Sequence, residues 1–504
     1  MLREILLGLT CVVVFAYGLD VIFAYLDDPR EPPRVSPTIP IVGHVVGFLY
    51  YGFDYYDILS QKTNEEVYAI GVLGFKVYIT HAIRLTNVIQ KTRSLSTKPF
   101  LRLENKIHSD ASNKAHALFD GPLLEAFRMR TRKALAPGPS LDNLSLRIGE
   151  ESLHQISALL KQGEVGLLEW TKHITVQITS ITLFGALHPF GDPEMVDAMW
   201  TWEDYRPSHQ IGTDFWHRGY KARTKVYRAF QRYLQDMPDD ISFVIRERQE
   251  VLREGGMDEE DIAKTQAFFS DAYYNVVPTL FWTIYEAYSR PELLQDIRDE
   301  VNRKARLPAP ELGSESSVID IAALKTKCSI LLSTYQEVQR TRHAQATSRM
   351  VVEDTLLDGR YLLKKGHYFQ MPVQPVHRNA DIWGPSADVF DPYRFVPSAP
   401  GEAVKVKVQP NSFLPWGAAP YTCPARQFVS TEVLVIAALL IVQVDLQPLR
   451  RGGWERDPEL RRFEKPTLSR PKKDVQVNVV PRKGAGDWKI VLGQSKARIP
   501  LASG

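Results

Sequence analysis

The sequence predicts an α-rich α+β fold, and three observations lead to this prediction. Helical periodicity extends from Leu123 to about Glu300, with breaks at the turn-rich stretches "PGPS", "HPFGDPE" and "EGGMDEED". Short alternating segments rich in β-branched residues occur towards both ends of the chain. No Ser/Gly linker, internal repeat or low-complexity tract divides the chain. Helices in the middle with small sheets at both ends are typical of a single α+β domain.

The first element in chain order is a predicted transmembrane helix. Ile5 to Leu26 is apolar and exceeds the roughly 20 residues that one helical span requires. Asp20 weakens it as a span, because a carboxylate inside a membrane is costly. The prolines of "DDPREPPRVSPTIPIVGH" then favour a stiff, extended neck. We expect an anchor and neck at residues 1–34 and a globular domain at residues 35–504; a buried core helix is the alternative for the apolar stretch.

The remaining elements follow from local patterns. The stretch "VYAIGVLGFKVYIT" predicts a β-hairpin with a glycine turn, and "ALKTKCSILLSTYQEVQRTRHA" predicts a helix. Residues 348–373 alternate like a small sheet, with turns at Asp358-Gly359 and Lys365-Gly366. The last helix is expected to begin after Cys423, and short strands are expected after Pro471.

Charge and cysteine content exclude several classes of protein. The 62 basic and 59 acidic residues give a net charge of +3, which provides no reason to expect a nucleic-acid partner. The three cysteines, Cys11, Cys328 and Cys423, are too few and too scattered for a disulfide framework. None of them has zinc-site spacing, so Cys423 needs its own explanation.

Cys423 lies in the loop "SFLPWGAAPYTCPAR", just before a long apolar helix. The positive end of a helix macrodipole is expected to lower the thiol pKa below its ordinary value of about 8.5. The small residues around it leave room for a large flat group, and a soft thiolate suits iron. A nucleophilic cysteine would need a nearby general base, and the sequence nominates no histidine for that role. A buried structural cysteine is the remaining alternative.

The loop resembles the cysteine loop of the cytochrome P-450 family, F-x-x-G-x-x-x-C-x-G. Trp416 stands where phenylalanine is usual, Gly417 fits, and Tyr421 replaces a frequent basic residue. The resemblance implies the P-450 fold, with residues 35–504 as a haem-thiolate catalytic domain. It further implies haem b as the cofactor, with the Cys423 thiolate on the iron and Trp416 beside the haem.

Two further motifs occur in the order typical of this family. "YQEVQR" matches E-x-x-R, and Glu337 and Arg340 are three residues apart on one helix face, where they can pair. "HRNADIWGPSADVFDPYRF" matches the segment that ends in P-E-R-F. The resemblance implies that Arg394 completes a charge triad with Glu337 and Arg340, and that this triad holds the scaffold of the cysteine loop.

Three arginines match positions that bind the haem propionates in the family. "RMRTRKALAP" resembles the W-x-x-x-R helix, with Arg128 at the tryptophan position and Arg132 at the arginine position. Arg349 in "SRMVVED" matches a second propionate arginine at the start of a sheet. Such an arginine binds a carboxylate through charge-assisted hydrogen bonds.

The long central helix departs from the family pattern A-G-x-[DE]-T, whose acid and alcohol relay protons during oxygen activation. Tyr274 occupies the acid position and Asn275 the alcohol position. The pattern N-x-x-P-x-x-F-W, which begins at Asn275, resembles the branch that contains the bile-acid sterol hydroxylases and prostacyclin synthase. An interior proline, here Pro278, typically kinks a helix.

The resemblance implies a membrane-bound, fungal-like eukaryotic monooxygenase of secondary metabolism. It would oxidise a bulky apolar molecule such as a terpenoid or sterol with O2 and electrons from NADPH–cytochrome P-450 reductase. It would be anchored in the endoplasmic reticulum membrane with the catalytic domain in the cytoplasm. Segments 96–119 and 199–216 are expected to line the substrate pocket, although the aromatic residues of the second segment could instead enter the membrane surface. Two alternatives remain: a haem-thiolate isomerase or dehydratase that acts on a peroxide without reductase, and a non-catalytic membrane haem sensor.

Overall fold

The computed structural model describes residues 22, 25–37, 43–72, 75–268, 271–308, 317–398, 408–418, 422–461 and 467–503. Most of the predicted membrane anchor and Tyr421 lie outside these residues. Among the described helices, Arg426–Gln443 is the one long and apolar enough to cross a membrane, and 94% of it is buried inside the protein. That burial is typical of a core helix.

Helices form most of the chain between Leu123 and Lys304, as the periodicity predicts. The α-helices are α1 (Gly43–Tyr51), α2 (Tyr55–Ser60), α3 (Thr86–Lys91), α4 (Lys98–Ile107), α5 (Asn113–Asp120), α6 (Leu123–Ala134), α7 (Pro139–Leu159), α8 (Leu167–Phe184), α9 (Pro193–Ile211), α10 (Arg218–Gln235), α11 (Phe243–Glu254), α12 (Glu259–Ala267), α13 (Asp271–Tyr288), α14 (Pro291–Lys304), α15 (Ile321–Lys327), α16 (Ser329–Arg342), α17 (Gln374–His377), α18 (Ala380–Trp383) and α19 (Arg426–Gln443). Short 3-10 helices occupy Gly52–Asp54, Ile83–Leu85 and Pro189–Gly191.

The strands of the described residues form four small sheets. They are β1 (Val67–Val72), β2 (Phe75–Thr80), β3 (Leu95–Ser96), β4 (Glu164–Gly166), β5 (Arg306–Pro308), β6 (Ser317–Asp320), β7 (Ala346–Val351), β8 (Thr355–Leu357), β9 (Tyr361–Leu363), β10 (Tyr368–Pro372), β11 (Val444–Pro448), β12 (Gln476–Pro481) and β13 (Trp488–Val491). The largest sheet has the order β1-β2-β10-β7-β3, with β2 and β10 parallel and the other neighbours antiparallel. The smaller sheets are β11-β12-β4, β13-β6-β5 and the hairpin β8-β9.

The predicted α-rich α+β fold is confirmed, and two details differ. The helix predicted over residues 323–344 is two helices, α15 and α16, because Cys328 breaks the helical backbone between them. The Glu300 carboxylate accepts hydrogen bonds from the backbone N–H groups of Ile330 and Leu331 at 2.8 and 3.2 Å, which satisfies the new helix start. Strand β4 lies in the region predicted to be helical, because its hydrogen-bond partner, β12, is remote in sequence.

Helix α19 is the centre of the hydrophobic core. Every residue from Gln427 to Gln443 is buried, and helices α7, α13 and α14 pack against it. A helix that is apolar on all sides is stable only when other elements surround it. Cys423 precedes this helix by three residues, so the thiol is attached to one of the best-packed elements of the protein.

The charged part of the predicted neck contacts the five-stranded sheet. Lys76 on β2 forms ion pairs of 2.6 Å with both Asp27 and Glu31, and the Tyr78 hydroxyl donates to Glu31 at 2.7 Å. The Pro33 carbonyl accepts from the backbone N–H of Ala69 on β1 at 2.9 Å. Residues 27–34 are therefore attached to the sheet rather than separated from it.

Candidate active site

The cysteine loop is held by backbone hydrogen bonds just before α19. The Cys423 N–H donates to the Trp416 carbonyl at 2.9 Å, and the Gly417 N–H donates to the Leu414 carbonyl at 3.1 Å. Gly417 has a φ of 78°, in the left-handed region that favours glycine, so this turn depends on the residue type. These contacts fix the thiol at one wall of a cavity.

The expected lowering of the Cys423 pKa is wrong for the thiol in these surroundings. Burial raises the pKa of Cys423, and the opposing effects of the Ala425 backbone N–H and the Arg426 guanidinium are smaller. A coordinated metal ion deprotonates a thiol outright, so an iron ion bound here would supply the stabilisation of the thiolate that burial opposes. Cys328, the other described cysteine, is buried between α15 and α16, where its pKa is raised to about 12.

The cavity in front of Cys423 has a volume of about 310 Å³ and is mostly apolar. Its described lining comes from α13, from the end of α16 and the chain after it, from the cysteine loop and α19, and from residues 467–468. These residues are Ala272, Asn275, Val276, Thr279, Gln339, His343, Gln345, Ala346, Thr347, Val373, Leu414, Pro415, Trp416, Gly417, Cys423, Ala425, Val429, Thr467 and Leu468. The lining does not include segments 96–119 and 199–216, which were expected to form it.

Glu337, Arg340 and Arg394 meet in one buried network. The Arg340 guanidinium donates to both carboxylate oxygens of Glu337 at 2.7 and 2.8 Å, and Arg394 Nε donates to Glu337 Oε1 at 3.1 Å. All three side chains are at most 1% exposed. Arg340 also donates to the backbone carbonyls of His377 and Ala387, both at 2.6 Å. The two positive charges are thus shared between one carboxylate and several carbonyls, which ties α16 to the segment that leads to the cysteine loop.

The three arginines assigned to the haem propionates lie outside the described lining of the cavity. Arg128 and Arg132 are half-buried on α6. Arg349 is buried on β7, where its guanidinium donates to the Leu95 carbonyl at 3.0 Å and to Gln90 Oε1 at 2.7 Å. Trp416, in contrast, lines the cavity, and its buried Nε1–H has no partner among the described residues.

Asn275 and Tyr274 point to different surroundings on α13. Asn275 lines the cavity, and its Oδ1 accepts a hydrogen bond from the Thr467 backbone N–H at 3.0 Å. Tyr274 is outside the described lining, and its ring stacks beneath the Arg470 guanidinium at 5.0 Å. Pro278 lies within α13, which continues to Tyr288. The structure therefore brings Asn275, but not Tyr274, together with Cys423.

Two polar side chains of the site were missed by reasoning from the sequence. Gln339 and His343 are one helical turn apart at the end of α16, and both line the cavity. Gln339 Oε1 and His343 Nδ1 are buried without a hydrogen-bond partner in the described part of the chain. A histidine three residues after the E-x-x-R arginine was the available signal, but position alone does not reveal which side of the helix faces a cavity.

The described residues fit a haem group. The cavity combines an apolar lining, a thiol at one wall and an unpartnered indole N–H from Trp416. The thiol suits iron, the apolar walls suit a porphyrin, and the indole N–H is a donor that needs an acceptor.

Comparison with known proteins gives the same assignment. The sequence profile described as Cytochrome P450 matches residues 33–479. The cytochrome P450 monooxygenase nodJ of Hypoxylon pulicicidum is 28% identical over 494 residues, which cover 95% of each chain. Cytochrome P450 7B1 of Mus musculus is 22% identical over 84% of this chain and 86% of its own.

A solved structure shows the same fold. The retinoic acid-bound cyanobacterial CYP120A1 superposes with a TM-score of 0.69 at 17% identity, over 90% of this chain and 99% of the other. Proteins of this family and fold bind haem whose iron is ligated by a cysteine. The resemblance predicted from the motifs is confirmed: the chain belongs to the cytochrome P-450 family of haem-thiolate monooxygenases.

Proposed function

We propose that this protein inserts one oxygen atom from O2 into a C–H bond of a bulky apolar small molecule, such as a terpenoid, a sterol or another secondary metabolite. Electrons would come from NADPH through a cytochrome P-450 reductase. The single observation that carries this proposal is the mostly apolar cavity with the Cys423 thiol at its wall. Apolar walls favour an apolar substrate because its burial removes apolar surface from water.

In this proposal, the Cys423 thiolate would hold the haem iron, and the haem would supply oxygen activation when bound. Val276, Val429 and Leu468 exclude water from the substrate. Trp416, whose buried indole N–H has no partner among the described residues, would donate it to the haem. Glu337, Arg340 and Arg394 hold the segments that support the cysteine loop.

The propionate roles of Arg128, Arg132 and Arg349 remain part of the proposal. Arg349 is already bound to Leu95 and Gln90, so it would reach a propionate only through a change in these contacts. Its substitution is therefore expected to affect haem retention less than loss of Cys423.

Asn275 is proposed as a positioning residue next to the reacting atoms. Its carbonyl oxygen is bound by the Thr467 N–H, so the orientation of the amide is fixed with respect to residues 467–468. An amide has donor as well as acceptor groups and does not titrate, so it would orient water or substrate without supplying a proton itself. Tyr274, packed under Arg470, would act on this helix only through packing.

The membrane part of the proposal places the protein on the endoplasmic reticulum membrane through an N-terminal anchor, with the catalytic domain in the cytoplasm. Phe215 and Trp216 are 72% and 76% exposed, and such side chains favour a membrane interface. Removal of residues 1–26 is expected to release the protein from membranes with haem bound. Removal of residues 1–33 would also delete Asp27 and Glu31, partners of Lys76, and is expected to lower the thermal midpoint. Haem loss in the shorter deletion would contradict an anchor that is separate from the core.

The test is reconstitution of the membrane-bound protein with a cytochrome P-450 reductase, NADPH and O2. A panel of terpenoids, sterols and fatty acids would be scored by product mass, and an added oxygen atom that derives from 18O2 is the expected result. Product formed from a hydroperoxide without NADPH would establish an isomerase or dehydratase instead. Ligand-induced spectral change without any product under either condition would indicate a haem sensor.

A further inference from the structure

His343 separates the Cys423 cavity from a second, outer cavity. The outer cavity has a volume of about 790 Å³ and reaches the surface at exposed residues that include Arg456, Asp457 and Glu459. Among the described residues, His343 alone lines both cavities. His343 is therefore the residue at which the two spaces adjoin.

The outer cavity is strongly charged, unlike the Cys423 cavity. Its charged lining residues are Asp54, Glu286, Arg290, Arg342, Arg378, Asp388, Arg456, Asp457, Glu459 and Arg461. Glu286 is 2% exposed and forms ion pairs with both Arg290 and Arg342, and Arg342 is the residue before His343. A space lined by both signs of charge retains water, because charged groups stay solvated unless they are completely paired.

The imidazole of His343 has the chemistry of a relay group. It is 6% exposed, and its Nδ1 has no hydrogen-bond partner among the described residues. Burial lowers the pKa of His343 to about 4, so the ring is neutral near pH 7 and has one donor and one acceptor nitrogen. Its titratable neighbours include His377, whose ring centroid is 5.9 Å away, while the guanidinium of the preceding residue, Arg342, is paired with Glu286.

At the two positions of α13 that match the acid and the alcohol of the family pattern, this chain has Tyr274 and Asn275. Tyr274 is packed under Arg470, and the Asn275 oxygen is bound by the Thr467 N–H. Each hydroxylation converts O2, NADPH, one solvent proton and the substrate C–H into product, water and NADP⁺. A path from solvent that does not depend on these two side chains would supply the protons.

We propose that water and protons enter the Cys423 cavity from the outer cavity past His343, and that the imidazole accepts a proton at one ring nitrogen and releases one from the other. After each transfer the ring is neutral again as the other tautomer, and rotation of the imidazole returns its two nitrogens to the starting arrangement. This inference rests on the proposed oxygenase function, because an isomerase consumes no solvent protons.

The experiment uses the haem-loaded full chain with His343→Phe, which fills the passage with an apolar ring, and His343→Ala, which opens it. The first measurement is the longitudinal relaxation of water protons by the ferric haem, which needs no substrate and no turnover. We expect the exchange-dependent relaxivity to fall at least two-fold in His343→Phe and to rise in His343→Ala. Because the two substitutions are expected to change the relaxivity in opposite directions, either variant alone decides the test if the other does not retain haem.

The second measurement is NADPH oxidation by the reconstituted enzyme in H2O and D2O without added substrate. His343→Phe is expected to enlarge the solvent isotope effect and to raise the fraction of NADPH that is recovered as hydrogen peroxide. His188→Phe is the matched control: His188 is 5% exposed, and its pKa is lowered to about 4. Its Nδ1 has no partner in the part of the chain that the structure describes, and it lines neither cavity.

Unchanged water relaxivity in both His343 variants, or equal effects in His188→Phe, would overturn the route. Such a result would leave the oxygenase function intact if the wild type still oxidises NADPH with reductase. A wild type that consumes no NADPH would instead contradict the oxygenase function, while the relaxivity measurement would still decide whether water passes His343.

Discussion

The charge network behind the cysteine loop and the cavity in front of Cys423 satisfy their polar groups in opposite ways. In the network, the Glu337 carboxylate accepts from two arginines and from the Asp391 N–H, and the arginines donate further to backbone carbonyls. In the cavity, Gln339 Oε1 and His343 Nδ1 are buried without described partners. The two regions are joined by one helix, α16, which contributes to both.

This difference distinguishes the charge network, which stabilises the fold, from the cavity residues, which are available to bind a ligand. A buried charge is tolerated only when it is paired, so the network stabilises one arrangement of the chain. A buried polar atom without a partner lowers stability unless water, a cofactor or a substrate binds to it. Changes in the network should therefore unfold the protein, and changes in the cavity should alter its chemistry.

The largest expected effect is that of Glu337→Ala, which removes the carboxylate and leaves two buried guanidinium groups without it. Loss of one partner of a buried ion pair costs about 3–5 kcal/mol, so we expect little haem-loaded protein. Haem content and thermal midpoint are the measurements. The control is Glu259→Ala, which breaks an exposed pair with Arg253 and should leave both values unchanged. Wild-type haem content in Glu337→Ala would contradict the claim that the charge network stabilises the fold.

A smaller effect is expected for Asn275→Ala on the cavity side. The substitution frees the Thr467 N–H and removes a polar group near the reacting atoms, while the network stays intact. We expect normal haem content and substrate binding, with several-fold less product per NADPH and the difference released as peroxide or water. Thr283→Val, one turn beyond Thr279 on α13 and outside the described lining, is the matched control and should couple normally. Haem loss in Asn275→Ala would indicate that Asn275 has a structural role, like the residues of the charge network.

The smallest effect concerns Glu432, an exception inside the well-packed core helix α19. Its side chain is buried and accepts a hydrogen bond from the Thr179 hydroxyl. Burial raises the pKa of this carboxyl from 4.5 to about 8. Between pH 4.5 and about pH 8, the folded state holds a proton on Glu432 that the unfolded chain has released. The free energy of unfolding therefore falls as the pH rises through this range. Glu432→Gln should match the wild type at pH 5 and exceed its thermal midpoint at pH 8. A difference that does not grow with pH would contradict the protonated carboxyl.

The sequence predicted the structural features that depend on neighbouring residues, but not those formed by segments that are far apart along the chain. The pairing of Glu337 with Arg340 follows from helical spacing, and the turn at Asp358-Gly359 follows from residue type, with positive φ at both positions. The cavity joins α13, the end of α16, the cysteine loop and residues 467–468, which lie far apart along the chain. No local pattern indicates that Thr467 binds Asn275 or that His343 lies between two cavities.

The Cys423 pKa shows a second limit of reasoning from local sequence. The position before a helix predicts a lowered pKa, because that argument considers only the nearest dipole. Burial by the core around α19 has the larger effect, and it depends on tertiary packing. Likewise, the contacts of residues 27–34 with the sheet depend on Lys76 and Tyr78. The sequence of the proline-rich neck alone does not indicate these contacts.

The central claim, that the Cys423 thiolate ligates the haem iron, is tested most directly by the absorption spectrum of the reduced carbon monoxide complex. Wild type should show the band that is diagnostic of thiolate ligation, and Cys423→Ala should lack it. Cys328→Ala, at the buried cysteine between α15 and α16, is the matched control and should keep the band wherever the protein retains haem. Persistence of the thiolate band in Cys423→Ala would contradict the account.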